Sequence, residues 1–311
     1  MAYLVTGGAG FIGSHIVEEL VKRGEKVRIL DNFITGKREN IAGFQDLIEL
    51  VEGDIRDLRT CRQALEEVDY VLHQAALPSV PRSIEDPLLT NEINVKGTLN
   101  LLVASYEARV KRFVFASSSS VYGDDPQLPK KEGREGKPLS PYGVSKLVGE
   151  KYCQVFSEIY GLVTISLRYF NIFGPRQDPF SQYAAAIPLF ITKILANQSP
   201  HIFGDGEQSR DFTYVANVVE ANLRAVEAPP EASGGVFNIA CGEKTTINVL
   251  AREINMLLGI SREPIYAEPR PGDIKHSFAD ISKARRVLGF EPGVNFKQGL
   301  KKTVAWYKKR R

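Results

Sequence analysis

The sequence predicts an α/β protein: a doubly wound parallel sheet with a second, smaller mixed α/β lobe. Three observations carry this prediction. Short β-prone apolar runs alternate with helical patterns as far as residue 171, a glycine-rich turn separates the first strand from the first helix, and beyond Asn171 the alternation becomes irregular.

Residues 1–13 read MAYLVTGGAGFIG, a short apolar strand and a tight turn with Gly7, Gly10 and Gly13 three apart. Ile12, Ile16, Val17, Leu20 and Val21 then recur at helical spacing, so the turn opens a helix. Such a turn is a phosphate cradle: the first glycine permits the turn, the second lets backbone amides reach a diphosphate, and the third lets helix and strand pack closely. The anion would rest on the helix N-terminus, where Phe11 and Ile12 begin the helix. A second strand over 26–30 leads to Asp31, eighteen residues beyond Gly13, with Asn32 beside it. An acid there accepts hydrogen bonds from the adenosine ribose and repels a 2′-phosphate, which favours NAD over NADP, although Lys37 and Arg38 leave NADP open. Strand, turn, helix and acid together make the predicted sheet Rossmann-like. A glycine turn without a ligand is the plainer alternative, and a nucleoside triphosphate loop is disfavoured because GxxxxGK[ST] is missing.

The alternation continues with a strand at 47–51 whose following loop, with Asp54 and Ile55, could lie beside an adenine. A helix at 61–68 precedes a strand at 70–74, closed by Gln74, Ala75 and Ala76, and small residues there let a cofactor lie against backbone. One long helix is expected over 87–108, with Asn94 facing the sheet as a packing anchor or a water-holding group. The apolar run 112–116 reads as a buried strand, which places Ser118 and Ser120 at the carboxyl edge of the sheet, where such proteins bind ligands. Ser140 and Pro141 open the next helix, and Tyr142 and Lys146 project from one of its faces. A phenol titrates near 10, and a nearby ammonium favours its phenolate, so Tyr142 could exchange a proton with a sugar or alcohol hydroxyl. An interfacial tyrosine followed by a solvated lysine would read the same way. A strand over 162–167 ends in Arg168, Tyr169, Phe170 and Asn171.

Beyond it FGPRQDP is loop-like, SQYAAAIPLFITKILANQ is a helix interrupted by Pro188, and HIFGDGEQSRDFTYV is strand and turn. A helix at 215–226 and a strand at 236–240 return to the nucleotide domain, while 246–258, 265–267 and two last helices complete the smaller lobe. The division expected is 1–175, with 212–240 returning to it, against 176–211 and 241–311.

At 311 residues and 43% apolar content the chain can bury a large core, in one or two domains. A net charge of +3, from 40 basic and 37 acidic residues, is no nucleic-acid footprint, and the terminal KKTVAWYKKRR reads as a solvated helix face. No apolar run is long enough for a membrane and no leader precedes the first strand, so a soluble, cytoplasmic protein is expected. Cys61, Cys153 and Cys241 suit reduced thiols, and His15, His73, His201 and His276 lack metal-ligand spacing and read as structural or surface histidines, so no metal site is expected.

TGGAGFIG, HQAA, SSSSVYG, YGVSK and RYFNIFGPRQDP, in this order, resemble the extended short-chain dehydrogenase/reductase superfamily and, within it, the nucleotide-sugar 4-epimerases. RQDPFSQYAAAIP, GDGEQSRDF and RPGDIKHSFADISKA are most similar to the UDP-N-acetylglucosamine 4-epimerase branch, with UDP-glucose 4-epimerases close behind. The resemblance implies a tightly held NAD and a UDP-sugar substrate epimerised through a transient 4-keto sugar. It implies that Tyr142 takes the proton of the 4-hydroxyl, that Lys146 lowers the tyrosine pKa and holds the nicotinamide ribose, and that Ser120 hydrogen-bonds the reacting hydroxyl. Ser118 would line the nicotinamide and the sugar, Ser119 the substrate, Phe170 the nicotinamide, and Asn171 the substrate diphosphate. Arg82, Ala185, Arg210, Arg270 and Asp273 fall at substrate positions of the relatives, with surface ion pairs as the alternative for Arg210 and Arg270. Ser277 stands where glucose-restricted relatives carry a tyrosine, which would leave room for an N-acetyl group, unless it caps a surface turn and another side chain closes the pocket. Many relatives pair the helices near 87–108 and 140–160 across a homodimer. A 4,6-dehydratase would carry an acid pair where Ser119 and Ser120 stand. A UDP-glucuronate 4-epimerase or decarboxylase, or a nucleotide-sensing protein without catalysis, are the competing readings.

Overall fold

The computed structural model describes residues 1–179, 185–269 and 275–310. Its elements run β1 (Ala2–Thr6), α1 (Phe11–Lys22), β2 (Lys26–Asp31), β3 (Glu49–Glu52), α2 (Leu58–Ala64), β4 (Tyr70–His73), α3 (Val80–Glu85), α4 (Pro87–Asn91), α5 (Gly97–Glu107), β5 (Arg112–Ser118), α6 (Pro141–Tyr160) and β6 (Thr164–Tyr169). They continue with β7 (Ile172–Phe173), α7 (Ala186–Leu195), β8 (His201–Phe203), β9 (Ser209–Arg210), β10 (Thr213–Tyr214), α8 (Val215–Glu227), β11 (Gly235–Ile239), β12 (Thr245–Thr246), α9 (Ile247–Leu258), β13 (Ile265–Ala267), β14 (His276–Ser277), α10 (Ser282–Leu288) and α11 (Phe296–Lys309).

Seven strands form one parallel sheet in the order β11-β6-β5-β4-β1-β2-β3. The chain winds outward from β1 in both directions, so the carboxyl ends of β1 and β4 flank a switch point, the place where such sheets take ligands. Register puts Thr6 opposite His73 and Ser118 opposite Tyr169, which brings the glycine turn and the serine run to one edge. Each face has its own core: Ile16, Val17, Leu20, Val218 and Leu223 with Phe237 on one, Leu65, Leu101, Leu102, Phe113, Phe115 and Phe156 on the other. Burying each of these large apolar side chains stabilises the fold by about 1.5–3 kcal/mol. A third core, with Phe173, Phe190, Ile191, Phe212, Leu250 and Leu300, belongs to the smaller lobe.

The long helix expected over 87–108 is three segments, since a π turn at Glu92–Lys96 separates α4 from α5. Asn94 lies in that turn as the anchor: it accepts from the Leu77 amide at 2.8 Å and donates to the Ser145 hydroxyl at 3.1 Å. Pro188 does not interrupt its helix. It is the third residue of α7, in the first turn, where a missing N–H costs no helical bond. The helix expected at 61–68 begins earlier and is shorter, because Asp57 caps α2 by accepting from Arg59 N. Helix α10 lies on the large sheet, with Ala284 and Leu288 in the core of the first face, while α11 closes the smaller lobe. Among the described residues no helix is long and apolar enough to cross a membrane.

Candidate active site

One end of the cleft is built from residues 2–40. Gly7 has φ +66° and donates to Leu30 O at 2.8 Å, which turns the chain sharply as it leaves β1. A Cβ on Gly13 would stand 2.1 Å from Gly7 O, so only glycine lets α1 approach the turn. No side chain caps α1 and no acid stands in its first turn, which leaves the amides at Phe11 and Ile12 for an anion. The Asp31 carboxylate, at the end of β2, accepts from Ala9 N at 2.9 Å and Phe33 N at 2.8 Å. Burial raises its pKa and those two bonds oppose the rise. This cradle fits a dinucleotide diphosphate with an acid at the adenosine ribose.

The cations that left NADP open are both engaged. Lys37 pairs with Asp178 at 3.2 Å, and Arg38 pairs with Glu52 while lying 4.3 Å from the Phe33 ring. Asn32 and Arg56 both donate to Asp54, and Arg56 above all draws that carboxyl down to about 2. Ile55 turns inward against Gly97, and its carbonyl accepts from Asn100. The Gln74 amide hydrogen-bonds Asn222 and Tyr169, so its side chain is tied beneath the edge, with Ala75 next to Gly7 and Ala76 following.

The other end is assembled from separate elements. Ser118, the last residue of β5, accepts from Ser120 N at 3.1 Å and donates to Ser120 Oγ at 3.2 Å, with Ser119 between them. Ser140 caps α6, accepting from Gly143 N at 3.1 Å, and Pro141 is its first residue, as the sequence predicts. A Cβ on Gly149 would stand 2.4 Å from Phe115 Cζ, so its absence lets α6 press against β5. That contact brings Tyr142 toward the Ser118 hydroxyl and Lys146 beneath the strand end.

The expected electrostatics differ in one respect. Burial raises the Tyr142 pKa and the neighbouring Ser118 hydroxyl opposes the rise, while the Lys146 ammonium is turned to the backbone. The Lys146 ammonium instead donates to Ala116 O at 2.8 Å and sits 5.0 Å from the Phe115 ring. Burial lowers it to about 8, partly offset by Cys153 and Glu150. The four-residue spacing predicts the shared helix face but not that the head group finds a backbone acceptor first.

Phe170 is fully buried among Val121, Tyr122, Ala240 and Ile281. Asn171, with φ +40°, donates to Asp211 O and lines a cavity of about 300 Å³ in the smaller lobe together with Ala185, Arg210, His201, Phe203 and Gln208. Ser277 pairs with Arg210 across β14 and β9. Arg82 lies on α3, whose Ser83 hydroxyl accepts from Tyr142 N. Arg270 and Asp273 lie outside the described residues.

Two groups, Asp211 and the Glu150–Arg168 pair, escaped the sequence reading, while His73 is structural, as expected. His73 is buried, its ring nitrogens bonded to Thr6 at 2.7 Å and Thr98 at 2.9 Å. Asp211 accepts from the amides of Cys241, Gly242 and Ala279 behind Asn171 and Arg210, and burial raises it to about 6 against those bonds. Glu150 and Arg168 form a buried ion pair under the serines. His73 and Asp211 stand inside quoted motifs, HQAA and SRDF, which mark the places without showing the partners.

A sequence model described as the NAD dependent epimerase/dehydratase family matches residues 3–240. A putative UDP-glucose 4-epimerase of Methanocaldococcus jannaschii is 44% identical, covering 98% of both chains. The UDP-N-acetylglucosamine 4-epimerase of Methanobrevibacter ruminantium, solved with UDP-N-acetylmuramic acid, is 44% identical with a TM-score of 0.95 over 100% of this chain and 99% of that one. The UDP-glucose 4-epimerase of Thermotoga maritima, solved with UDP-glucose, is 40% identical with a TM-score of 0.94 over the same shares. More distant relatives include a UDP-glucuronate 4-epimerase of Thermodesulfobacterium geofontis, 33% identical over 98% of this chain and 96% of its own length.

Proposed function

The chain belongs to the NAD dependent epimerase/dehydratase family, and from that premise we propose that it interconverts the 4-epimers of a UDP-hexose, UDP-N-acetylglucosamine with UDP-N-acetylgalactosamine and UDP-glucose with UDP-galactose. The observation that carries the reading is the meeting of Tyr142, Ser118, Ser120 and Lys146 at the sheet edge that also holds the glycine turn and Asp31.

NAD, when bound, supplies a hydride acceptor that can give back what it takes, so the cycle ends without net oxidation. The amides at Phe11 and Ile12 hold its diphosphate and Asp31 its adenosine ribose. Ser120 orients the sugar 4-hydroxyl, and Tyr142 takes its proton, then returns it when the ketone is reduced on the opposite face. Lys146 spends one of its three N–H donors on Ala116 O, leaving two for the nicotinamide ribose and for the developing phenolate. Arg210 and Asn171 hold the substrate diphosphate at the mouth of the smaller lobe's cavity.

Breadth toward the sugar rests on Ser277. It neighbours Arg210 in the sheet and is a short side chain, which leaves the C2 substituent room, and a roomy site rejects the smaller group by only about 1–3 kcal/mol. The test compares kcat/KM on acetylated and plain UDP-hexoses, and on UDP-glucuronate, for the wild type and Ser277→Tyr. Turnover of both hexose pairs, with the acetylated one selectively lost in the variant, is expected; turnover of UDP-glucuronate alone overturns the reading. The assembly proposed is a homodimer through α4, α5 and α6, whose outer faces expose Leu88, Tyr106, Val144, Val155 and Ile159. Light scattering should give twice the chain mass.

A further inference from the structure

We propose that Arg168 is a positioning residue for Lys146: by holding Glu150, it keeps that carboxylate off the ammonium one helical turn away. The inference rests on the reading of Tyr142 and Lys146 as the proton-transfer pair.

Glu150 follows Lys146 by four residues on α6, so the two side chains share a face, and they are 1% and 4% exposed. Left alone, a buried carboxylate would pair with a buried ammonium beside it. Here both its oxygens are already taken. Arg168, reaching across from β6, donates through Nε and Nη2 at 2.8 and 2.7 Å, and Ser117 donates its hydroxyl at 2.5 Å. Arg168 is itself fixed on its other sides, 4.8 Å from the Tyr122 ring and 2.6 Å from Glu135. Lys146 is thereby left to donate to Ala116 O, next to Ser117 and Ser118.

The groups that face Lys146 come from three elements. Glu150 and Cys153 stand on α6, which carries Tyr142 one turn earlier, β4 contributes His73, and β5 contributes the Ala116 carbonyl and the Phe115 ring. Burial keeps His73 neutral and the Cys153 thiol protonated, which leaves the Arg168-paired Glu150 as the acid on this face. Freed from Arg168, it would neutralise the ammonium locally and remove its support for the Tyr142 phenolate.

The test records kcat and KM against pH for the NAD-loaded enzyme and for Arg168→Gln, Arg168→Gln with Glu150→Gln, and Ser117→Ala, using whichever UDP-hexose the wild type turns over. In Arg168→Gln the acid limb of kcat should move up by about one pH unit. That lowers kcat about tenfold on the limb with KM little changed. The double variant should return the limb to its wild-type place even though its melting temperature stays low. A limb that stays put in Arg168→Gln, or that remains displaced in the double variant, reduces the pair to packing and overturns the proposal. Should Arg168→Gln fail to retain NAD, Ser117→Ala decides: a smaller move in the same direction supports the proposal, and none overturns it. Lys146→Ala separates the two levels, because full activity there removes the proton-transfer reading itself.

Discussion

The two ends of the cleft are made differently. The proposed adenosine end is one continuous stretch, residues 2–40, in which the turn, the helix start and the acid are bonded to one another: Gly7 to Leu30, Ala9 to Asp31, Lys37 back to Ala9. The proposed catalytic end draws Ser118 from β5, Tyr142 and Lys146 from α6, and Arg168 from β6, and these meet only because α6 presses on the sheet at Gly149. Local chemistry specifies the first end, and packing specifies the second. Damage to one should therefore leave the other working, within the limits of shared stability.

The sharpest break is at the catalytic end. Tyr142→Phe keeps the ring and removes the proton acceptor, so kcat should fall by about 10² to 10⁴, with NAD content on denaturation unchanged. Gly13→Ala strikes the adenosine end. Its methyl group would stand 2.1 Å from Gly7 O, an overlap that costs up to about 3 kcal/mol of stability. NAD should be lost on gel filtration, while turnover per retained NAD stays near wild type.

Between the ends lies His73, tying β1 through Thr6 and α5 through Thr98. Burial lowers its folded pKa to about 3, below the ordinary 6.5, so the unfolded chain takes the proton first. Its stabilising share is complete above pH 6.5 and falls as pH drops toward 3, amounting to a loss of about 2 kcal/mol at pH 5. His15, lowered by burial to about 4, adds in the same sense. Urea midpoints at pH 7 and pH 5 measure the loss, and His73→Asn should narrow the gap between them. The smallest effect sharpens the adenosine end. Asp31→Asn keeps the shape and removes the charge, weakening NAD by about 1.5 kcal/mol and narrowing its advantage over NADP, as read by titration of cofactor-stripped protein.

The chain by itself determined the sheet, the glycine turn, the acid after the second strand, the serines at a strand end and the Tyr142/Lys146 face. Each of these depends on residues within a few positions of one another, through periodicity, capping or turn chemistry. What tertiary structure decided is where long side chains end. Lys146 reaches Ala116 O, Arg38 is held by Glu52, Asp211 gathers amides from 241, 242 and 279, and Glu150 takes Arg168 rather than its helical neighbour. A buried charge must find its partner among whatever elements close around it, and those elements are distant in the sequence, so the choice becomes visible only when the sheet and α6 are in place.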